Sequence, residues 1–183
     1  MRMNKTGTMI VALAIGFGLA NFHARADHES LPAAANKGQL TDKDYKFVQE
    51  AARGGQMEVE LGELARQRGA SQTVRDFGDR MVKDHSKAGD ELKQIIARKG
   101  ASIPTSMSHQ ERSTMDSLQK ATGKDFDKAY AKDMLKDHKE DVKKFQAAAK
   151  ELNDPDLRAF AQKTLPTLEQ HLQLAEQMEK AVK

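Results

Sequence analysis

The chain has no cysteine, no tryptophan, only four prolines, and a small aromatic complement of seven phenylalanines and two tyrosines. Without cysteine there is no disulfide framework, no thiolate zinc site, no thiol nucleophile and no lipid-modified N-terminal cysteine. No apolar run reaches the roughly 20 residues that a transmembrane helix needs. No Gly-rich phosphate loop and no nucleophile–base constellation is present. What is abundant is Ala, Lys, Glu, Gln, Leu and Met, the composition of helices. No strand-like alternation interrupts it.

The first 26 residues read as a cleaved secretory signal peptide. Arg2 and Lys5 precede the apolar stretch MIVALAIGFGLA, and Ala24-Arg25-Ala26 has the small-x-small form of a cleavage site. An uncleaved anchor is the alternative. The absence of paired arginines favours general secretion over twin-arginine export. This places the protein in the periplasm, with peripheral attachment to the outer membrane as a variant and no integral span after cleavage. Residues 27–40, DHESLPAAANKGQL, lack periodicity and are expected to form a disordered leader. Residues 41–183 form the folded domain.

The formal charge of +3 belongs to the signal segment. Of 30 basic residues, Arg2, Lys5 and Arg25 lie there with no acid beside them, leaving 27 basic against 27 acidic residues. A balanced chain with charges alternating along helices has solvated faces. It lacks the basic patch of a nucleic-acid binder, so no nucleic acid is expected as partner.

Capping signals divide the domain. Thr41 or Asp42 caps a first long helix that runs to about Gln67. Ser71 caps a second, which ends near Lys99 and Gly100. Ser108 and Glu111 form a capping box that opens a short helix, 108–121. A third long helix covers 124–152. Asp154, followed by Pro155 at the first helical position, starts a fourth that runs to about 181. Pro166 lies inside the fourth, where a kink is expected, with the carbonyl of Gln162 freed. Each long helix spans about 40 Å. Tight turns make two antiparallel hairpins, and the connection between them is long enough to cross the bundle. The fold class is therefore all-α, a ferritin-like four-helix bundle with a crossover carrying a short helix. An up-down-up-down bundle is the alternative.

The sequences MVKDH at 81–85 and MLKDH at 134–138 lie on the inward stripes of the second and third long helices. Those stripes read Val74, Gly78, Met81, His85, Ala88, Leu92, Ile96 and Phe126, Tyr130, Met134, His138, Val142, Phe145, Ala149. The first long helix gives Phe47, Ala51, Gly54, Glu58, Leu61, Ala65, and the fourth gives Leu157, Ala161, Leu165, Leu168, His171, Ala175, Met178. Glu58, His85, His138 and His171 thus all fall near mid-helix on the core side. A crossover makes the second and third helices parallel and sets His85 and His138 at one depth. Asp84, Asp137, Asp141 and Glu169 are close enough in sequence to join the layer.

Such a layer has two readings. As structure, the histidines hydrogen-bond to carboxylates and fix register. As a site, imidazole and carboxylate hold a transition metal such as Fe, Mn, Cu or Zn, with Met81 and Met134 as soft ligands if copper is bound. A misjudged helix phase would instead leave some of the four exposed. The carboxylate di-iron pattern is not met, because no Glu stands three residues before His85, His138 or His171.

Four stretches together resemble the exported bacterial family known as domain of unknown function 4142: FVQEAARGGQMEVELGELARQRGAS, VRDFGDRMVKDHSKAGDEL, DFDKAYAKDMLKDHKEDVKKF and LRAFAQKTLPTLEQHLQLAEQM. The resemblance covers about 43–180. It implies a ferritin-like bundle exported to the Gram-negative envelope and carries family pattern positions Asp84, His85, Asp137, His138, Leu165, Pro166, Leu168, Glu169 and His171. The function expected is that of a non-catalytic binding or envelope-stress protein, with Glu58, His85, His138 and His171 as the candidate metal residues. A ferritin-like metal-dependent oxidase or peroxide scavenger is one alternative. A helical interaction module, with a homo-oligomer or an envelope protein as partner, is another.

Overall fold

The computed structural model describes residues 36–103 and 106–183. The expected signal peptide and residues 27–35 of the leader lie outside the described residues. Among those described there are five helices and no strand: α1 Asp42–Arg68, α2 Gln72–Arg98, α3 His109–Lys120, α4 Gly123–Glu151 and α5 Pro155–Ala181. The caps are those the sequence announces. Thr41, Ser71 and Asp154 accept backbone N–H groups at their helix starts, and Ser108 and Glu111 satisfy each other's backbone. The helix α5 runs without a break through Pro166. None of these helices is long and apolar enough to cross a membrane.

The leader ends earlier than expected. Residues 36–40 are held against the C-terminal end of α2: Ser102 N donates to Asn36 O at 2.8 Å, and Gln39 N to Lys99 O at 3.0 Å. Leu40 is buried in the core beneath. A short apolar anchor and a few backbone bonds suffice to order a segment that has no periodicity to reveal it.

Two apolar clusters fill the bundle, and their membership fixes its topology. One joins Phe47 and Val48 of α1, Leu92 and Ile96 of α2, Phe145 and Ala148 of α4, and Leu157 and Phe160 of α5. The other joins Leu61 and Ala65 of α1, Val74 and Met81 of α2, Phe126 and Met134 of α4, and Ala175 and Met178 of α5. So α2 and α4 both begin at the second cluster and end at the first, while α1 and α5 run the opposite way. The connection through α3 returns the chain along the bundle, as the crossover reading requires. Besides its hairpin partner, α2 packs on α5, and α1 on α4. The MVKDH and MLKDH segments therefore face each other across the diagonal of the core.

The two hairpins are built alike, with residues 83 positions apart in equivalent roles. Asp127 at the start of α4 accepts Ala70 N and Ser71 N, both at 2.8 Å, in the α1–α2 turn. Asp44 at the start of α1 accepts Asn153 N at 2.8 Å in the α4–α5 turn. Arg75 donates to Gly69 O and Ala70 O, and Arg158 to Leu152 O and Asn153 O. Ser71 and Asp154 cap the second helices, and Phe77 and Phe160 are each buried six residues after the cap. The bundle thus has a pseudo-twofold relation in which each hairpin grips the other's turn.

The hairpins differ in how closely their helices approach. A Cβ on Gly62 would stand 2.8 Å from Gly78 O, and one on Gly78 would stand 2.7 Å from Gly62 O, so α1 and α2 touch backbone to backbone there. At Gly54 and Gly89 an added Cβ meets nothing within 4 Å. Gly78→Ala is therefore expected to destabilise the fold by about 1–3 kcal/mol, the cost of overpacking. Gly54→Ala and Gly89→Ala should each stabilise it by about 0.5–1 kcal/mol through helix propensity. Urea unfolding midpoints with unchanged slopes check both. Removing the turn clamp with Asp127→Ala strands two backbone N–H groups, and a loss of about 1–3 kcal/mol should appear in the same measurement.

Candidate metal centre

Glu58, His85, His138 and His171 meet in one layer between the two apolar clusters. Glu58 and His138 are fully buried, His171 is 1% exposed and His85 7%. The imidazole centroids form a near-equilateral triangle, 5.8 Å between His85 and His138, 5.2 Å between His85 and His171, and 5.3 Å between His138 and His171. The Phe77 ring closes it edge-on to His138 at 5.9 Å.

Hydrogen bonding assigns the protons. His138 Nδ1 lies 2.9 Å from Met134 O one turn back. A carbonyl only accepts, so Nδ1 carries the hydrogen and Nε2 the lone pair. His171 Nε2 donates to Asp84 Oδ2 at 3.0 Å, which leaves the lone pair on Nδ1. That carboxylate–histidine arrangement orients metal-binding imidazoles. Glu58 Oε1 faces His138 Nε2 at 3.3 Å, and Glu58 Oε2 faces His85 Nδ1 at 2.8 Å. Neither approach is aligned as a hydrogen bond. Both Glu58 oxygens, His85 Nε2, His138 Nε2, His171 Nδ1 and the Tyr130 hydroxyl are buried without a hydrogen-bond partner. Buried polar atoms are almost always paired, so a convergent set of unpaired lone pairs asks for a proton or a cation.

The residues fit a metal ion. One nitrogen from each of His85, His138 and His171 lies within 4.8 Å of the other two. Two metal–nitrogen bonds of about 2.0–2.1 Å each span at most about 4.2 Å, so small ring rotations would close the set of three, and Glu58, 2.8 Å from His85 Nδ1 and 3.3 Å from His138 Nε2, lies beside it. Met81 and Met134 belong to the apolar cluster below, where they act as packing. Of the neighbouring acids, Asp84 serves His171, and Asp137 and Asp141 are half-buried beside the layer, whereas Glu169 is exposed and does not enter. Tyr130 was legible in the sequence only as a stripe residue. Its hydroxyl faces the layer from two turns before His138.

Charge in this layer is set by burial. Desolvation pushes Glu58 up to about 8, against the opposing pull of His138. Burial raises Asp141 to about 8, reinforced by Glu58 and Asp137. His171 is lowered to about 4, mainly by desolvation, and burial lowers His85 and His138 as well. The signs oppose. The unfolded chain takes up a proton at His171 near 6.5 that the folded one refuses until about 4, so stability falls as pH drops through that window. Folded Glu58 keeps its proton to about 8 whereas the unfolded chain releases it near 4.5, so stability falls as pH rises through that range. Between about 4.5 and 6.5 these two contributions cancel. From about 6.5 to 8 the Glu58 loss remains, joined by that of the likewise raised Asp141, so metal-free protein should lose stability as pH rises through that range. Glu58→Gln should reduce the loss between pH 6.5 and 8, measured by chemical unfolding with chelator present.

The fold has relatives among solved structures. A fragment of DUF305 from Deinococcus radiodurans superposes with a TM-score of 0.67 at 14% identity, covering 78% of this chain and 97% of that one. CopM in its silver-bound form superposes with a TM-score of 0.63 at 15% identity, covering 75% and 96%. At such identities the likeness is one of fold. No curated protein matches the chain. The family model of Domain of unknown function (DUF4142) matches residues 29–178, and the chain belongs to that family.

Proposed function

We propose that this protein is an exported, non-catalytic metal-binding bundle of the periplasm, whose central layer holds one divalent transition-metal ion. His138 Nε2, His171 Nδ1, a ring nitrogen of His85 and the Glu58 carboxylate would hold it. The observation that carries this reading is the unpaired state of those buried atoms. His138 Nε2 faces Glu58 Oε1 at 3.3 Å without an aligned hydrogen bond, and a cation that displaces the Glu58 proton would join the two. Three imidazoles and one carboxylate are donors for borderline ions, with zinc or copper(II) ahead of iron and manganese. Packing of both methionine side chains in the apolar cluster speaks against a thioether site for copper(I). The silver-bound state of CopM, a bundle of similar fold, is in keeping with a metal in such a framework. Export rests on the pattern of residues 1–26. The oxidase alternative has less support, since the layer contains one glutamate and no Glu-x-x-His pair.

Metal content by mass spectrometry on untagged protein, beside a His85→Ala/His138→Ala double variant, tests the reading. Near one equivalent is expected in the wild type, and none in a variant whose circular dichroism shows an intact helical fold. Free metal at 100 times its Kd should raise wild-type stability by about 2.7 kcal/mol. A wild type that cannot be loaded with zinc, copper, iron or manganese would sink the proposal and leave the layer a structural one.

A further inference from the structure

The pseudo-twofold relation is broken at the layer, and the break opens a cavity. By the 83-residue equivalence, Glu58 corresponds to Asp141, His138 to Gly55, and His171 to Ala88. His138, which touches Glu58 at 3.3 Å, has only a glycine as its counterpart in the half that holds Asp141, and His171 has only an alanine. A cleft of about 680 Å³ lies there, between the first half of α1 and the second half of α2. Its walls include Leu92, Ile96, Phe145, Phe160 and Ile103, and its floor is made by Glu58, His85 and Asp141. A volume of this size suits a small organic molecule.

Several features mark it as a built site. Small residues keep it open: a Cβ on Gly89 would meet nothing within 4 Å, and one on Gly55 would reach only His85 Nδ1 at 3.9 Å. These positions lack the backbone contact that explains Gly62 and Gly78, although a mid-helix glycine costs about 0.5–1 kcal/mol. The floor holds fully buried, unpartnered atoms, namely both Glu58 oxygens and His85 Nε2. It is rich in acceptors. The cations near it already have partners, Lys144 with Asp141 at 3.5 Å and Lys93 at the wall with Asp90 at 3.4 Å.

We propose that this cleft binds a small apolar amine, its hydrocarbon part lying between α1 and α2 and its nitrogen directed to Asp141 and the adjoining face of Glu58. An ammonium group beside Asp141 favours the ionised carboxylate, donates to it, and fills the space that an imidazole occupies in the other half. Glu58 and His85 also belong to the metal layer, so amine binding is read first in the chelator-treated chain, where it stands or fails whether or not the layer loads a metal.

Calorimetric titration of the full chain, chelator-treated and metal-loaded, with the n-alkylamines from butylamine to octylamine and the matching alcohols, tests it. Amines should bind at least tenfold tighter than alcohols of equal length. Each added methylene should tighten binding about fourfold until the cleft is filled. Asp141→Asn should erase the preference for amines while alcohols bind as before. Gly89→Leu should weaken both series with helix content and metal content unchanged. The proposal is overturned if neither series binds, if amines and alcohols bind alike, or if Gly89→Leu binds as tightly as the wild type.

Discussion

Placing a carboxylate and three imidazoles in the middle of a helical bundle is the constraint around which this molecule is arranged. An unpaired polar group in an apolar interior costs on the order of 1–3 kcal/mol, and an unpaired charge costs more. The layer avoids charge by burial itself, which keeps a proton on Glu58 to about 8 and off His171 down to about 4. It also divides the core. Apolar side chains close one cluster above it and another below, and each long helix contributes one polar residue between. A slip of one helix by a turn would put an imidazole into either cluster, so the layer fixes the helices' relative heights as well as offering donors.

The two hairpins meet through reciprocal clamps. Asp127 and Asp44 each satisfy the opposite turn, and Arg75 and Arg158 each bind the carbonyls of their own. This symmetry holds at the turns and is abandoned in the middle. Gly55 and Ala88 stand where His138 and His171 stand in the other half, so one side of the layer is crowded with donors and the other opens into an apolar cleft. A bundle that is symmetric in its fastenings is thereby asymmetric in its chemistry.

Much of the frame was legible because its signals are local. Thr41, Ser71, the Ser108–Glu111 box and Asp154-Pro155 mark helix starts by satisfying backbone groups a few residues away. The 3-4 spacing of apolar residues put Glu58, His85, His138 and His171 on core faces, and all four are buried. Less legible was what depends on contacts distant in sequence. The docking of residues 36–40 on the end of α2 has no periodic signature. The 83-residue repeat was visible only faintly, in VRDF against LRAF and in an aspartate three residues before Phe47 and Tyr130. The more conspicuous repeat, MVKDH and MLKDH, is not part of it: His85 corresponds to Leu168, and His138 to Gly55.

The sequence by itself determined the helices, their caps, their inward faces and the depth at which polar residues would be buried, because each follows from interactions within a few turns. Tertiary structure alone decided the rest. Which carboxylate serves which imidazole depends on α2 packing against α5, so Asp84 reaches His171 rather than its neighbour His85. Which ring nitrogen keeps its lone pair depends on the Met134 carbonyl and on Asp84. The cleft exists because small residues of α1 and α2 come to face each other beside Asp141. Stripe positions say that a side chain points inward; only the packed helices say what it meets there.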